Sequence, residues 1–345
     1  MSPKIILMAP MLLMSAHIQA QGSVKGEAAV QQGETVSAKE DKGTKLVLLG
    51  TAGGPILRTN RSQPASMLTV DGTTYLIDAG EGVSRQLVKA GRQPFDVKAI
   101  FLTHLHMDHV NGLASVLAFN WVSRRGNHIS VYGPPGTQAL VDAGIHYSHI
   151  PESIFELQYP PSPNMRDLVK ATDLGAIASD SAPVTVYEDD KIRVTAVENS
   201  HYITIDLPKR DYGYDRSYSY RFDTGDLSVV FSGDTGPSPA LTKLAQDADI
   251  LVTEVIDLNK QLNVMRSYGA SLQQLKPLID HMKVEHITPE EIGKMATAAR
   301  VKKVVLSHVV PGDVSETDLE TYVEGVKKYY DGPVILGADL DVFRK

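Results

Sequence analysis

From residue 45 onward, short apolar runs alternate with clusters of Gly, Pro, Asn and Asp. KLVLLG at 45–50 predicts a strand ending in glycine, followed by a loop at 51–64. ASMLTV at 65–70 and TTYLID at 73–78 flank Asp71-Gly72, a pattern that predicts a β-hairpin. Residues 80–91 predict a helix with Val83, Leu87 and Val88 facing inward. VKAIFLT at 97–103 predicts a buried strand that stops at His104. A helix over 110–124, a strand over 129–132 and a helix from Thr137 to Ala143 complete the first half.

The second half repeats the order. Strands are predicted at 183–187 and 191–197, then at 218–224 and 227–233. A helix at 239–246 and a strand at 249–254 follow. Thr288, Pro289 and Glu291 form the cap, first turn and capping box of a helix that runs to Ala299. Strand 303–307 stops at His308, and a last helix covers about 315–329. Paired strands open each half and strand–helix units follow, so two sheets with helices outside them are expected. Residues 144–182 and 202–217 fit this order poorly and read as loops or insertions near a site.

Composition narrows the chemistry. The chain has 345 residues, is 42% hydrophobic and carries a formal charge of −7. That is enough apolar material for a sizeable core, and it gives no bulk attraction to nucleic acid or anionic lipid. Arg124-Arg125 and Lys302-Lys303 are only short basic pairs. There is no cysteine, which excludes disulfides, thiolate metal sites and cysteine nucleophiles. Residues 1–20 have the layout of a secretory signal peptide: Lys4, an apolar run from Ile5 to Met14, and a cut after Ala20. Residues 21–43 read as a flexible tether, leaving 44–345 as one folded domain. The expected location is therefore periplasmic or secreted, with no membrane contact after processing.

The decisive string is Thr103-His104-Leu105-His106-Met107-Asp108-His109, directly after a predicted strand. In extended chain, His104 and His106 share one face. The chain must then turn, so Asp108 and His109 can serve a neighbouring position. Burying these groups unpaired would cost several kcal/mol, roughly, so a packing role is a poor explanation. Neutral imidazole and carboxylate suit zinc, and also manganese or iron. Further candidate ligands lie after other strands: His201, Asp234 in Ser232-Gly233-Asp234-Thr235, and His308.

With these residues in view, the sequence resembles the metallo-beta-lactamase superfamily, from about residue 45 to 313. The resemblance implies an α+β four-layer αβ/βα sandwich with the site at one edge. It implies that His104, His106 and His201 hold one metal, that Asp108, His109 and His308 hold a second, and that Asp234 bridges them. Asp78, in Leu76-Ile77-Asp78-Ala79-Gly80, matches the first-motif aspartate that supports the metal loop. Within the superfamily the chain looks most like the ribonuclease Z and arylsulfatase AtsA-like branch, through Leu49–Pro55, Tyr132–Gly136, Phe231–Thr235, His286–Glu291 and Ser307–Asp313. Tyr202–Asp206 departs from that pattern. The branch often forms dimers, which implies a homodimer.

Two divalent ions, zinc by preference, could share a water and lower its pKa toward neutral. The resulting hydroxide would attack phosphorus or sulfur in an ester, or a carbonyl carbon. His286 has the chemistry to act on the ester oxygens, and Glu254 to hold a histidine in one tautomer. With Asp108, these two form the expected catalytic set. Tyr212, Tyr214, Tyr218 and Tyr220 are candidates for the wall of an aromatic-accepting pocket. The expected activity is hydrolysis of sulfate or phosphate esters of small molecules, arylsulfatase-like or phosphodiesterase-like. The alternatives are a ribonuclease Z-like endonuclease, a lactone or beta-lactam hydrolase, and a metal-dependent binding protein without turnover. Export and the missing basic arm weigh against nucleic acid as a partner.

Overall fold

The computed structural model describes residues 42–123, 127–159, 163–178, 182–267, 269, 271–312 and 316–345. The expected leader, nearly all of the tether, Arg124, Arg125 and Asp313 lie outside those residues. Two seven-stranded sheets face one another. The first contains β1 (Thr44–Gly50), β2 (Ala65–Val70), β3 (Thr73–Ile77), β4 (Val97–Phe101), β5 (Ile129–Gly133) and β6 (Val169–Asp173) in that order, with β14 (Val342–Phe343) beside β1. The second contains β7 (Val184–Glu188), β8 (Arg193–Glu198), β9 (Tyr218–Asp223), β10 (Ser228–Phe231), β11 (Ile250–Ile256), β12 (Val304–Val310) and β13 (Val334–Leu336) in order.

The apolar run of β1 shows how the layers arise. Leu46 and Leu48 enter the core between the sheets, with Phe101, Tyr220 and Phe222. Val47 and Leu49 point the other way, into a second core. Alternation on a strand buried on both faces reads as a continuous hydrophobic stretch. That second core is closed by α1 (Val83–Lys89), α3 (Leu113–Val122), α4 (Thr137–Gln158) and α5 (Met165–Leu168). A third core lies under α6 (Pro239–Leu244), α9 (Pro289–Ala298) and α10 (Glu316–Lys327) on the outer face of the second sheet. Helix, sheet, sheet and helix give the four layers expected. Three helices sit at the rim instead: α2 (Met107–Val110), α7 (Leu258–Ser267) and α8 (Leu272–Glu285).

Local signals explain most boundaries. Asp71 and Gly72 both have positive φ, as the two-residue turn between β2 and β3 requires. The Thr288–Glu291 capping box is formed at the start of α9. Four expectations need correction. Val88 is half exposed, and Gln86 takes the inward position, bonding Leu49 O and Asp339. Residues 144–182 are not simply loop: α4 continues through Pro151 to Gln158, and β6 adds an edge strand. The buried face of Val141, Ile145 and Ser148 carries that helix past Ala143. Strand β12 does not stop at His308. The register with β11 shifts there, so Ser307 and His308 oppose Glu254 alone, and the strand resumes to Val310. Finally, Tyr218 and Tyr220 are fully buried between the sheets, donating to Gly175 O and Leu102 O, so packing claims them.

Candidate metal centre

All the candidate ligands leave the sheets at one edge, where the parallel strands end. β4 delivers His104 and His106, and α2 turns the chain so that Asp108 and His109 follow. His201 comes after β8, Asp234 after β10, and Glu254 lies within β11. His308 reaches the site through the β12 bulge, with φ 43°. Bulges re-aim side chains in this way, and a positive φ in a non-glycine residue marks a position fixed by its surroundings. Asp78 leaves β3 with φ 59° for the same edge.

Two donor sets form, beside a third group of Asp234, Glu254 and His286. His104, His106, His201 and Asp234 each bring a ligand atom within 4.8 Å of the others, and so do Asp108, His109 and His308. His106 Nδ1 lies 3.0 Å from His104 Nε2 and 3.2 Å from His201 Nε2. Asp234 divides its oxygens between the sets. Oδ2 lies 3.8 Å from His104 Nε2, whereas Oδ1 lies 3.3 Å from His109 Nε2 and 3.2 Å from His308 Nε2. Asp108 Oδ2 lies 3.5 Å from His308 Nε2 and 3.6 Å from His109 Nε2.

The backs of three rings are already occupied, which fixes the face each presents, while His308 Nδ1 is buried without a partner. His109 Nδ1 donates to Asp78 at 2.9 Å, and Asp78 also accepts from the Thr103 backbone N–H and hydroxyl. His201 Nδ1 donates to Glu285 O at 3.1 Å, and His104 Nδ1 to the Thr103 hydroxyl at 3.1 Å. That leaves His104, His201 and His109 Nε2 turned toward the centre. Asp234 Oδ1 and His109 Nε2 are buried with no hydrogen-bond partner. Orphaned polar atoms on converging imidazoles and carboxylates fit divalent metal ions, and outer partners on the ring nitrogens complete that fit.

Protonation agrees. Burial holds His104 well below the usual imidazole range, and it pushes His201 down to about 3 and lowers His106. These rings are neutral at physiological pH, the state that binds metal. Burial opposes the charge on Asp234, but His308 and His109 outweigh it and hold the carboxyl well below its ordinary range.

Two residues stand beside the donor sets. His286 Nδ1 lies 2.8 Å from Glu254 Oε2, and both approach Asp234. Glu254 also accepts from the Thr235 backbone. Burial lowers the His286 pKa, yet the Glu254 carboxylate overrides it, and with Asp234 raises His286 to about 9. Gly236 makes this arrangement possible. A Cβ there would come within 1.7 Å of Val284 O, just before His286.

A cleft of about 420 Å³ opens onto the centre, lined by His106, Asp108, Asp234, His286 and His308 on one side. The other side is Ile56, Ile256, Met265, Leu278, Met282 and Val310. Three of these six, Met265, Leu278 and Met282, belong to α7 and α8, where the sequence predicts no element. His281 and Glu285 on α8 were missed as well: they pair at 2.6 Å, and Glu285 also accepts from the Thr204 backbone. Of the four tyrosines, Tyr212 lines a separate cavity with His106 and Tyr202, and Tyr214 is exposed.

This geometry can be set against known proteins. A family model described as a beta-lactamase superfamily domain matches residues 73–309. The chain belongs to the metallo-beta-lactamase superfamily. Membership makes it a metal-dependent hydrolase, and the His/Asp groups at its strand ends are the candidate metal site. A ribonuclease Z from Mycolicibacterium paratuberculosis is 29% identical over 308 residues, spanning 86% of this chain and 96% of the relative. Among solved structures, the short form of human tRNase Z superposes with a TM-score of 0.61 at 20% identity, over 87% of this chain and 98% of that one. Zinc-bound PqqB from Methylobacterium extorquens gives 0.57 at 15% identity, over 87% and 100%. These two structures share the fold. The ribonuclease names stand against the expectation that disfavours nucleic acid, and the arylsulfatase expectation gains nothing from them.

Proposed function

We propose that the chain is a binuclear phosphodiester hydrolase of the ribonuclease Z kind. In this reading His104, His106 and His201 hold one zinc ion, Asp108, His109 and His308 the other, and Asp234 bridges. One observation carries it: Asp234 turns one oxygen to each donor set, while the His286–Glu254 pair stands over the same carboxylate. When bound, divalent ions supply Lewis acidity toward the phosphoryl oxygens and lower the pKa of bound water.

The chain's own residues do the rest. Burial keeps the His104 and His201 rings neutral, and Thr103, the Glu285 carbonyl and, for His109, Asp78 occupy the outer nitrogens and keep the rings aimed. His286 lines the cleft and is held protonated by Glu254, so it can give a proton to the departing ester oxygen. Glu254 keeps that ring turned and stabilises its charge. The apolar wall limits bulk water at the reacting ester.

A phosphodiester suits this better than a sulfate ester because relatives spanning most of the chain carry a ribonuclease name. If residues 1–20 are an export leader, the substrate is met outside the cytoplasm. The test is a panel on zinc-loaded protein: bis(p-nitrophenyl) phosphate, a 3′-extended transfer RNA, p-nitrophenyl sulfate and a beta-lactam. Chelator-sensitive cleavage of the phosphodiesters is expected. Cleavage of the RNA makes it an endonuclease, and turnover of the sulfate alone would refute the reading.

A further inference from the structure

The wall of the cleft away from the histidines has its own construction. Helices α7 and α8 are clamped to the ends of β11 and β12 by a small apolar cluster of Ile256, Met282 and Val310, against which Leu258, Leu262, Met265 and Ile279 pack. Some of these side chains serve the clamp alone. Met265, Met282, Ile256 and Val310 also face the cleft, and Leu278 stands at its mouth, 41% exposed. Two thioethers in one wall favour contact with an aromatic ring, since sulfur packs well against ring edges.

Two polar side chains interrupt this surface, His281 of α8, which pairs with Glu285 at 2.6 Å, and Gln261 of α7. Gln261 on α7 lines the cleft, and its Oε1 is buried with no hydrogen-bond partner. A buried amide oxygen left unpaired is costly, and an incoming donor would relieve it. The apolar wall and the acceptor line the same cleft as His286 and Asp234. A phosphoester held at the metal centre therefore directs one of its substituents onto Met265, Met282 and Gln261.

We propose that this wall is a specificity subsite for a planar, largely apolar ring attached to the scissile phosphoester, with a hydrogen-bond donor on its edge for Gln261. The proposal rests on the phosphodiesterase reading and names its substrate: an ester of a ring-bearing alcohol. That ring could come from an aryl alcohol or from a nucleobase one sugar away, and these two sources separate by experiment.

Calorimetry on the zinc-loaded full chain is the test, with methylphosphonate, phenylphosphonate, 4-aminophenylphosphonate and uridine 5′-monophosphate as probes. Phenylphosphonate should bind at least about tenfold tighter than methylphosphonate, because a buried ring contributes more than the ~1.4 kcal/mol that a tenfold gain needs. The amino group should add a further gain of about fivefold, within the usual range for one hydrogen bond. A gain for the nucleotide over methylphosphonate would assign the ring to a nucleobase, and its absence would assign it to an aryl alcohol. Leu278→Gln, at a half-exposed position that tolerates a polar side chain, should reduce the ring advantage. Gln261→Leu should remove the amino gain and keep the ring gain. Equal binding of the methyl and phenyl probes would overturn the proposal, as would a ring advantage untouched in both variants. The two readings fail separately: ring preference without phosphodiester turnover sinks the hydrolase, and turnover without ring preference sinks the subsite.

Discussion

His286 donates through Nδ1 to Glu254 Oε2 at 2.8 Å, and β11 and the segment after α8 bring the two side chains together beside Asp234. Glu254 is buried in β11, whereas His286 follows α8 and faces the cleft. The pair therefore links a fixed carboxylate to a ring that can reach substrate.

Replacing His286 with alanine should lower kcat by about 10²- to 10⁴-fold, the usual contribution of a positioned acid. Zinc content should stay at the native value, because the two proposed sites are completed without His286, which converges only with Asp234 and Glu254. Metal analysis beside steady-state kinetics checks both halves, and loss of zinc would reassign His286 as a ligand.

The same pair sets a pH dependence. His286 is raised to about 9 chiefly against burial by Glu254, so its proton is present below that pH and lost above it. Activity should fall on the alkaline side near that value. Glu254→Gln removes the main raising influence, so the alkaline limb should move to lower pH. A pH–rate profile of both proteins shows it, and an unmoved limb would detach Glu254 from this role.

Asp78 acts through two partners, His109 and Thr103. Asp78→Ala should weaken zinc binding by about 10- to 100-fold, the range for loss of an outer partner of a ligand histidine. Competition with a chromophoric chelator measures this, and unchanged affinity would show that Asp78 serves only the fold.

Away from the site, Asp189 joins the two sheets. Its Oδ2 accepts from Tyr75 of β3, Lys98 of β4 and Tyr187 of β7, each at 2.7 Å. Burial opposes the charge, but Lys98 and the two hydroxyls hold the carboxyl below its ordinary range. Because the folded pKa is depressed, this stabilisation is complete above the unfolded value of about 3.9 and fades as pH falls below it. Asp189→Asn should cost about 2 kcal/mol at neutral pH in denaturant melts, and that difference should shrink in acid.

Gly236 offers a test of placement rather than chemistry. A Cβ there meets Val284 O, so Gly236→Ala should push the end of α8 away and carry His286 with it. Turnover should fall, and zinc affinity should weaken with it, because Glu285 O at the same helix end holds His201.

The metal loop was legible because its ligands are contiguous: His104, His106, Asp108 and His109 follow one apolar strand, and no packing rule puts four such groups together. His201, Asp234 and His308 were legible by their strand ends, although the bulge that aims His308 depends on the register with β11. The two-sheet order followed from repeated strand pairs. The cleft wall was not found, because α7 and α8 carry no long apolar run and Pro277 interrupts α8. Their signal is weaker but present: Leu258, Leu262 and Met265, then Leu275, Ile279 and Met282, recur at i, i+4 and i+7. The tyrosines misled because alternate residues of β9 look the same whether they line a pocket or fill the space between sheets. Glu285 and His281 gave no motif, and their roles depend on a tertiary contact with the loop after His201.

The most direct test is bis(p-nitrophenyl) phosphate turnover measured with metal content, before chelation, after it, and after zinc is restored. The account predicts two ions per chain, with hydrolysis lost and regained as they leave and return. A folded chain that takes up no metal from excess zinc, or hydrolysis that continues undiminished without metal, would contradict it.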